Sequence, residues 1–254
     1  MISKQYISRI ALRRDIIESF DVFPFSLPAV RALDVLEPHP KVTFLVGENG
    51  SGKSTLLEAI AISMGFNAEG GSRNFRFSTR ASHSRLDEYL RVSKGVSRPR
   101  DGFFLRAESF FNVATEIEAL DEEPGLGARV IESYGGQSLH ERSHGESFLT
   151  LLNERFGGQG LYLLDEPEAA LSPQRQLAAL ARIHELVKDE SQFIIATHSP
   201  ILMSYPDAAI YHLSTNGIEC VEYEQTEHFQ VMRAFLNSYK SALRELLDPP
   251  DTSD

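Results

Sequence analysis

The stretch Gly47-Glu48-Asn49-Gly50-Ser51-Gly52-Lys53-Ser54 fits the pattern G-x-x-x-x-G-K-[ST], and its flanks decide how it reads. Before it, Val42-Thr43-Phe44-Leu45-Val46 is an apolar, β-branched run of strand length. After it, Thr55-Leu56-Leu57-Glu58-Ala59-Ile60-Ala61 has the content of a buried helix. Strand, glycine loop and helix in this order aim backbone N–H groups and a helix N-terminus at an anion. Gly47, Gly50 and Gly52 permit a curl of backbone that a Cβ would obstruct. Lys53 is then placed to reach the β- and γ-phosphates of a nucleotide, and the Ser54 hydroxyl to ligate Mg²⁺. Glu48, Asn49, Ser51 and Thr55 complete the same cradle. A glycine turn capping an ordinary helix is the plainer alternative, and the strand before the loop argues against it.

Outward from the loop, the chain of 254 residues has room for one large α/β domain, or one domain with an insertion. Hydrophobic content of 42% and charged content of 24% are those of an ordinary globular protein. A single cysteine, Cys220, excludes a disulfide framework and paired-cysteine metal sites. No apolar run approaches a membrane helix, and Met1 to Tyr6 lack a signal-peptide core, so the expected compartment is the cytoplasm. A net charge of −11 argues against indiscriminate binding to nucleic acid or anionic membrane.

Tyr6–Leu12 alternates like a strand, and Asp21–Phe25 and Ala29–Leu33 are read as edge strands of a small antiparallel layer. Phe23 or Phe25 is a candidate to stack on adenine, with core packing the competing role. Residues 66–106, dense in serine, arginine and glycine, read as an insertion of short helices and loops. A helix opens at Ser143 and ends at Gly157-Gly158, and Leu161–Leu164 is a second buried strand. Ser172-Pro173 starts another helix, with Leu177, Leu180, Ile183 and Val187 as its apolar stripe. Phe193–Ala196 is a third buried strand. Asn216-Gly217 signals a hairpin, Glu227–Leu247 a helix, and residues 248–254 a frayed tail.

Three further motifs bear chemistry. Asp165-Glu166 follows the Leu161–Leu164 strand, at the strand end where open α/β sheets bind ligands. Asp165 would hold Mg²⁺ through water, and Glu166 would polarise the attacking water. Thr197-His198-Ser199-Pro200 follows the next strand, so His198 faces the same crevice as a donor to the γ-phosphate. Ser143-His144-Gly145-Glu146 has the spacing of a capping box ahead of an apolar helix. The same capped N-terminus, with a serine hydroxyl and a glycine beside it, is also an anion site.

This set, in this order, resembles the ABC-type ATPases from about residue 40 to about 215. Asp165-Glu166-Pro167-Glu168-Ala169-Ala170-Leu171-Ser172 and Ala196-Thr197-His198-Ser199-Pro200 look like the soluble, non-transporter branch: RecF, the SMC proteins, the OLD-type ATPases and short stand-alone bacterial ATPases labelled AAA-family. The resemblance implies a P-loop domain with a mostly parallel core sheet and helices on both faces. It implies ATP and Mg²⁺ as ligands and a head-to-tail dimer that sandwiches two ATPs. Lys53, Ser54, Asp165, Glu166 and His198 of one chain would then meet the Ser143, Gly145 and Glu146 segment of the other. The sequence departs from the family in His144, in Ser172 where aspartate is frequent, and in Glu108. Glu108 follows a strand expected at 102–107 and stands where the family has a glutamine; its carboxylate could still take a Mg²⁺-bound water, at the cost of negative charge beside ATP.

The reading is an ATPase that closes as a dimer on ATP and couples hydrolysis to a partner. The alternatives are the nucleotide-binding subunit of a transporter, and a nucleic-acid-binding or toxin–antitoxin-type module for which ATP is only a conformational ligand. Glu166 argues against the last, since a sensor needs no base. Sustained heptads and paired cysteines are absent, so long coiled-coil arms and a zinc hook are not expected. Residues 73–106 hold nine basic and three acidic side chains, +6 in a chain of −11. Arg73, Arg76, Arg80, Arg85, Arg91, Lys94, Arg98, Arg100 and Arg106 are thus either a solvated, internally paired surface or a working face for a partner protein or polyanion, nucleic acid first.

Overall fold

The computed structural model describes residues 5–73, 84–107, 110–122, 129–134, 136–138, 140 and 143–247. Its first half runs β1 (Ile7–Leu12), α1 (Pro28–Ala32), β2 (Val35–Leu36), β3 (Val42–Val46), α2 (Lys53–Ser63), β4 (Leu90–Lys94) and β5 (Asp101–Arg106). Then come α3 (Phe110–Glu122), α4 (His144–Thr150), β6 (Gly160–Asp165), α5 (Pro173–Lys188) and β7 (Gln192–Ala196). The chain continues through α6 (Pro200–Met203), β8 (Ala209–Ser214), β9 (Gly217–Val221) and α7 (Glu227–Leu247).

Six strands form the central sheet in the order β5-β6-β7-β3-β8-β9. The first five pair in parallel, and the β8–β9 hairpin adds an antiparallel edge. The inner strands β3, β6 and β7 are buried along their whole length, which is why they read as near-continuous apolar runs, whereas β8 and β9 at the edge are half-exposed. Alternate side chains still go to opposite faces. Phe44, Phe103, Tyr162, Phe193 and Ile195 pack on the side of α3, α4 and α5. Leu45, Phe104, Leu161, Leu163 and Ile194 pack with Leu56, Leu57 and Ile60 of α2 and with Ile7 and Ile10 of β1. A second sheet, β2-β1-β4, is antiparallel and lies on the α2 side.

The small antiparallel layer was legible, but its membership was not. Ala29–Leu33 is not a strand: Pro28 sits at the first turn of α1, and Ala29 and Val30 are buried beneath it. Asp21–Phe25 forms turns, and the layer's third strand is β4. Residues 66–106, expected as short helices and loops, hold β4, whereas β5 is the strand expected at 102–107 and an edge of the central sheet. Serine, glycine and arginine obscured β4, which needs only one covered face. The stripe of α5 holds at Leu180, Ile183 and Val187, which pack on the core with Ala179 and Leu186, but Leu177 is 57% exposed. The hairpin and the bounds of α7 stand as read. Glu108 and the tail 248–254 lie outside the described residues.

Candidate functional site

The phosphate-binding loop joins β3 to α2 and is braced from below by α1. The N–H of Ala29 donates to the Ser51 carbonyl at 3.1 Å. Gly47 has φ +144°, and a Cβ there would lie 2.1 Å from the Leu213 carbonyl oxygen of β8, so the loop's entry requires glycine. Lys53 opens α2 and is almost fully buried. Its ammonium folds back onto the loop, donating to the Gly47 and Glu48 carbonyls at 2.8 and 2.9 Å. Burial pushes its pKa down, against the Glu166, Asp165 and Glu168 carboxylates, which push it up.

Asp165 ends β6 and Thr197-His198 follows β7, the neighbouring parallel strand, so both sit at the carboxyl edge of the sheet beside the loop. The Ser54 hydroxyl donates to Asp165 Oδ1 at 2.9 Å, which brings together two of the three residues read as metal ligands. Glu166 leaves the strand with φ 48° and ψ 51°, a left-handed conformation that costs a non-glycine residue energy and aims its side chain away from the strand's path. His198 Nε2 is 3.8 Å from Glu166 Oε1, is buried, and has no hydrogen-bond partner among the described residues. Its Nδ1 is 3.0 Å from Nε2 of His228 in α7. Burial, then Lys53, lowers the His198 pKa, so the ring is neutral near pH 7.

Lys53, Ser54, Glu166 and His198 share one cavity of about 550 Å³, lined also by Leu27, Asn49, Gly50, Gly52 and Thr55. A second of about 570 Å³ runs from Glu48, Asn49 and His198 to Val231 and Met232 of α7. The donor set fits a nucleotide with Mg²⁺. The loop backbone and Lys53 suit phosphate, Ser54 and Asp165 form an all-oxygen pair, and Ser51 Oγ and His198 Nε2 are buried polar atoms without partners among the described residues. Phe25 is buried against Phe20 and Tyr89 and is out of reach as a stacking platform. Phe23 is 65% exposed.

Ser143 and Glu146 form the capping box that the spacing predicted, each side chain bonded to the other's backbone N–H. Neither they nor Gly145 line the loop cavity of their own chain. Gly145 packs on the turn after Glu166 so closely that a Cβ would lie 2.6 Å from the Ala170 carbonyl oxygen. Arg175 of α5 donates to the Ser143 hydroxyl and to Glu146 at 3.3 and 3.1 Å.

Sequence reasoning missed several residues. Glu168 is largely buried, accepts from the His198 backbone N–H, and has its pKa raised by burial. Arg106, counted in the basic surface, ends β5 opposite Asp165. It pairs with buried Glu58 at 2.6 Å and lies 4.0 Å from Asp165, so it belongs to the site's underside. Arg73 lies over the Phe66 ring and Arg85 pairs with Glu88. Arg91, Lys94, Arg98 and Arg100 are exposed with no ion pair among the described residues. Arg76 and Arg80 lie outside them. His228 carried no motif at all.

Two family models match the chain. One is described as an AAA domain and covers residues 17–123. The other is an AAA domain model labelled with the AbiEii toxin and the type IV TA system, and it covers residues 119–204. The hemin import ATP-binding protein HmuV of Idiomarina loihiensis is 30% identical over 74% of this chain and 76% of its own length. ABC transporter G family member STR2 of Medicago truncatula is 27% identical over 64% of this chain, which spans only 24% of that relative. Among solved structures, an ATP-binding cassette of an ABC transporter superposes with a TM-score of 0.51 at 17% identity, covering 94% of this chain and 98% of that one. No helix among the described residues is long and apolar enough to cross a membrane.

Proposed function

This chain belongs to the ABC-type ATPase family, and we propose that it binds ATP with Mg²⁺ in the loop crevice and hydrolyses it as a head-to-tail dimer. The observation that carries the reading is the convergence of Lys53, Ser54, Glu166 and His198 on one cavity, with Asp165 bonded to Ser54 beneath it. Lys53 exchanges the Gly47 and Glu48 carbonyls for phosphate oxygens, an exchange that suits a cation already stripped of water. Ser54 and Asp165 would hold Mg²⁺, which supplies positive charge against the phosphate oxygens when bound. Glu166 accepts the proton of the attacking water, and His198 donates from Nε2 to the γ-phosphate.

Ser143, Gly145 and Glu146 sit outside their own chain's cavity, which supports their acting on the nucleotide of a second copy. In the test, Glu166→Gln keeps ATP affinity, slows hydrolysis at least ~100-fold, and sediments as a dimer only with ATP and Mg²⁺. A Glu166→Gln protein that stays monomeric with ATP sinks the dimer reading.

The reading places the chain in the cytoplasm, with Arg91, Lys94, Arg98 and Arg100 as the face for an anionic partner, nucleic acid first. A transporter-subunit role is the second reading, favoured by the relatedness to the hemin import protein. Capture with ATP-trapped Glu166→Gln separates the two: salt-sensitive retention of nucleic acid supports the first, and co-purifying membrane subunits support the second.

A further inference from the structure

His228 belongs to the first turn of α7, 30 residues from His198 in sequence, yet their rings are 5.2 Å apart and share the 3.0 Å bond between His198 Nδ1 and His228 Nε2. One of the two nitrogens must carry the proton and the other the lone pair. The other edge of His198 decides which. Its Nε2 faces the Glu166 carboxylate at 3.8 Å, and the residue lines the cavity where phosphate oxygens would lie. That carboxylate is an acceptor, so a lone pair on Nε2 would be repelled by it and a proton there is favoured. A neutral His198 with its proton on Nε2 has a bare Nδ1, and His228 must then be the donor.

We propose that His228 is a positioning residue for hydrolysis: its Nε2–H fixes the ring of His198 and the tautomer that presents Nε2–H to the γ-phosphate. The same bond ties α7 to the nucleotide site. No side chain of α7 is buried, so a shift of α7 would release His198 from its donor.

The proposal rests on the ATPase reading, and the experiment separates the two. Nucleotide-free protein labelled with ¹⁵N-histidine, with the His198→Ala spectrum used for assignment, should show His198 protonated at Nε2. In His228→Ala that signal should move toward a mixture of tautomers. With ATP and Mg²⁺, His228→Ala should lower kcat about tenfold, the lower end of what losing an orienting partner costs a histidine, and leave KM within about twofold. His228→Gln, whose amide can donate from a similar position, should recover most of kcat. A His198 proton found on Nδ1 in the unmodified protein overturns the proposal whatever the ATPase rate. So does full kcat in His228→Ala. An Nε2 proton in a protein that does not hydrolyse ATP would instead overturn the ATPase reading and leave the hydrogen-bond assignment standing.

Discussion

At the amino end of the central sheet, the Gln192 side chain is completely buried and every bonding position it has is used. Its carbonyl accepts from the Tyr6 and Ile7 N–H groups at 2.9 Å, and its amide donates to the Ile7 and His39 carbonyls at 3.0 Å. Nearby, Asp101 receives Arg155, the Gly157 N–H and the Tyr162 hydroxyl. At the carboxyl end, 10 to 20 Å away along strands of five or six residues (about 3.3 Å per residue), the accounting is different. Ser51 Oγ, Glu168 Oε2 and His198 Nε2 are buried without partners among the described residues, Lys53 is a desolvated cation, and Glu166 is held in a left-handed conformation. One end is saturated and holds the two sheets together. The other is left short of partners and strained, which a ligand can relieve.

The sharpest way to break this contrast is at Lys53. Lys53→Ala should abolish ATP binding, because the remaining Asp165, Glu166 and Glu168 carboxylates repel phosphate. Removing a buried cation costs the fold little, so its melting temperature should match or exceed that of the unmodified protein. Equilibrium titration and calorimetry check both halves, and unchanged affinity would refute the loop assignment. Gln192→Leu should behave in the opposite way. It strands two backbone N–H groups and two carbonyls and should cost at least ~3 kcal/mol in denaturant unfolding, with ATP affinity of the folded fraction unchanged. A comparable loss of ATP affinity would show that the two ends are coupled.

The smallest effect is one of pH. Burial pushes the Asp101 carboxyl up, but Arg155, the Gly157 N–H and the Tyr162 hydroxyl outweigh it and hold the pKa below the usual 3.8. Its contribution is therefore present above the unfolded value and is lost as pH falls through the folded one. Urea unfolding between about pH 5 and about pH 3 should show a steeper acid limb for the unmodified protein than for Asp101→Asn. Equal slopes would mean that Asp101 carries no such share.

How much of this was legible in the sequence follows the same division. The carboxyl-end groups announce themselves because each is adjacent in sequence to the strand or helix that positions it: Lys53 after the glycine loop, Asp165-Glu166 after β6, His198 after β7. Gln192, Asp101 and His228 do not, because their partners lie 30 to 186 residues away and no spacing rule connects them. Register explains Arg106, whose placement opposite Asp165 depends on β5 and β6 being neighbours. Pro28 misled in the opposite sense: it limits a strand, but its fixed φ also starts a helix, and the buried Ala29 and Val30 show that packing selected the helix. The α5 stripe failed only at Leu177, which satisfies the helical period without facing the core, while Leu180, Ile183 and Val187 pack on it.

Beyond its first turn, α7 presents Val231, Met232, Phe235, Leu236, Tyr239, Leu243, Leu246 and Leu247 to solvent, and Ser238 interrupts its helical dihedrals at φ −141° and ψ 33°. Starting a helix in water is the unfavourable step, and extending it is close to neutral. Thr226 accepts from the Phe229 N–H, and His228 is pinned to His198, so the costly first turn is already formed by the folded domain. The rest of the helix extends from that anchored turn to Leu247, with Ser238 as its one residue of non-helical dihedrals. Lengthening a helix from a formed turn adds one bond per residue fixed, so the apolar row is held up by propagation rather than by packing. A contact made along it would reach the nucleotide site through His228 and His198, residues that already belong to it.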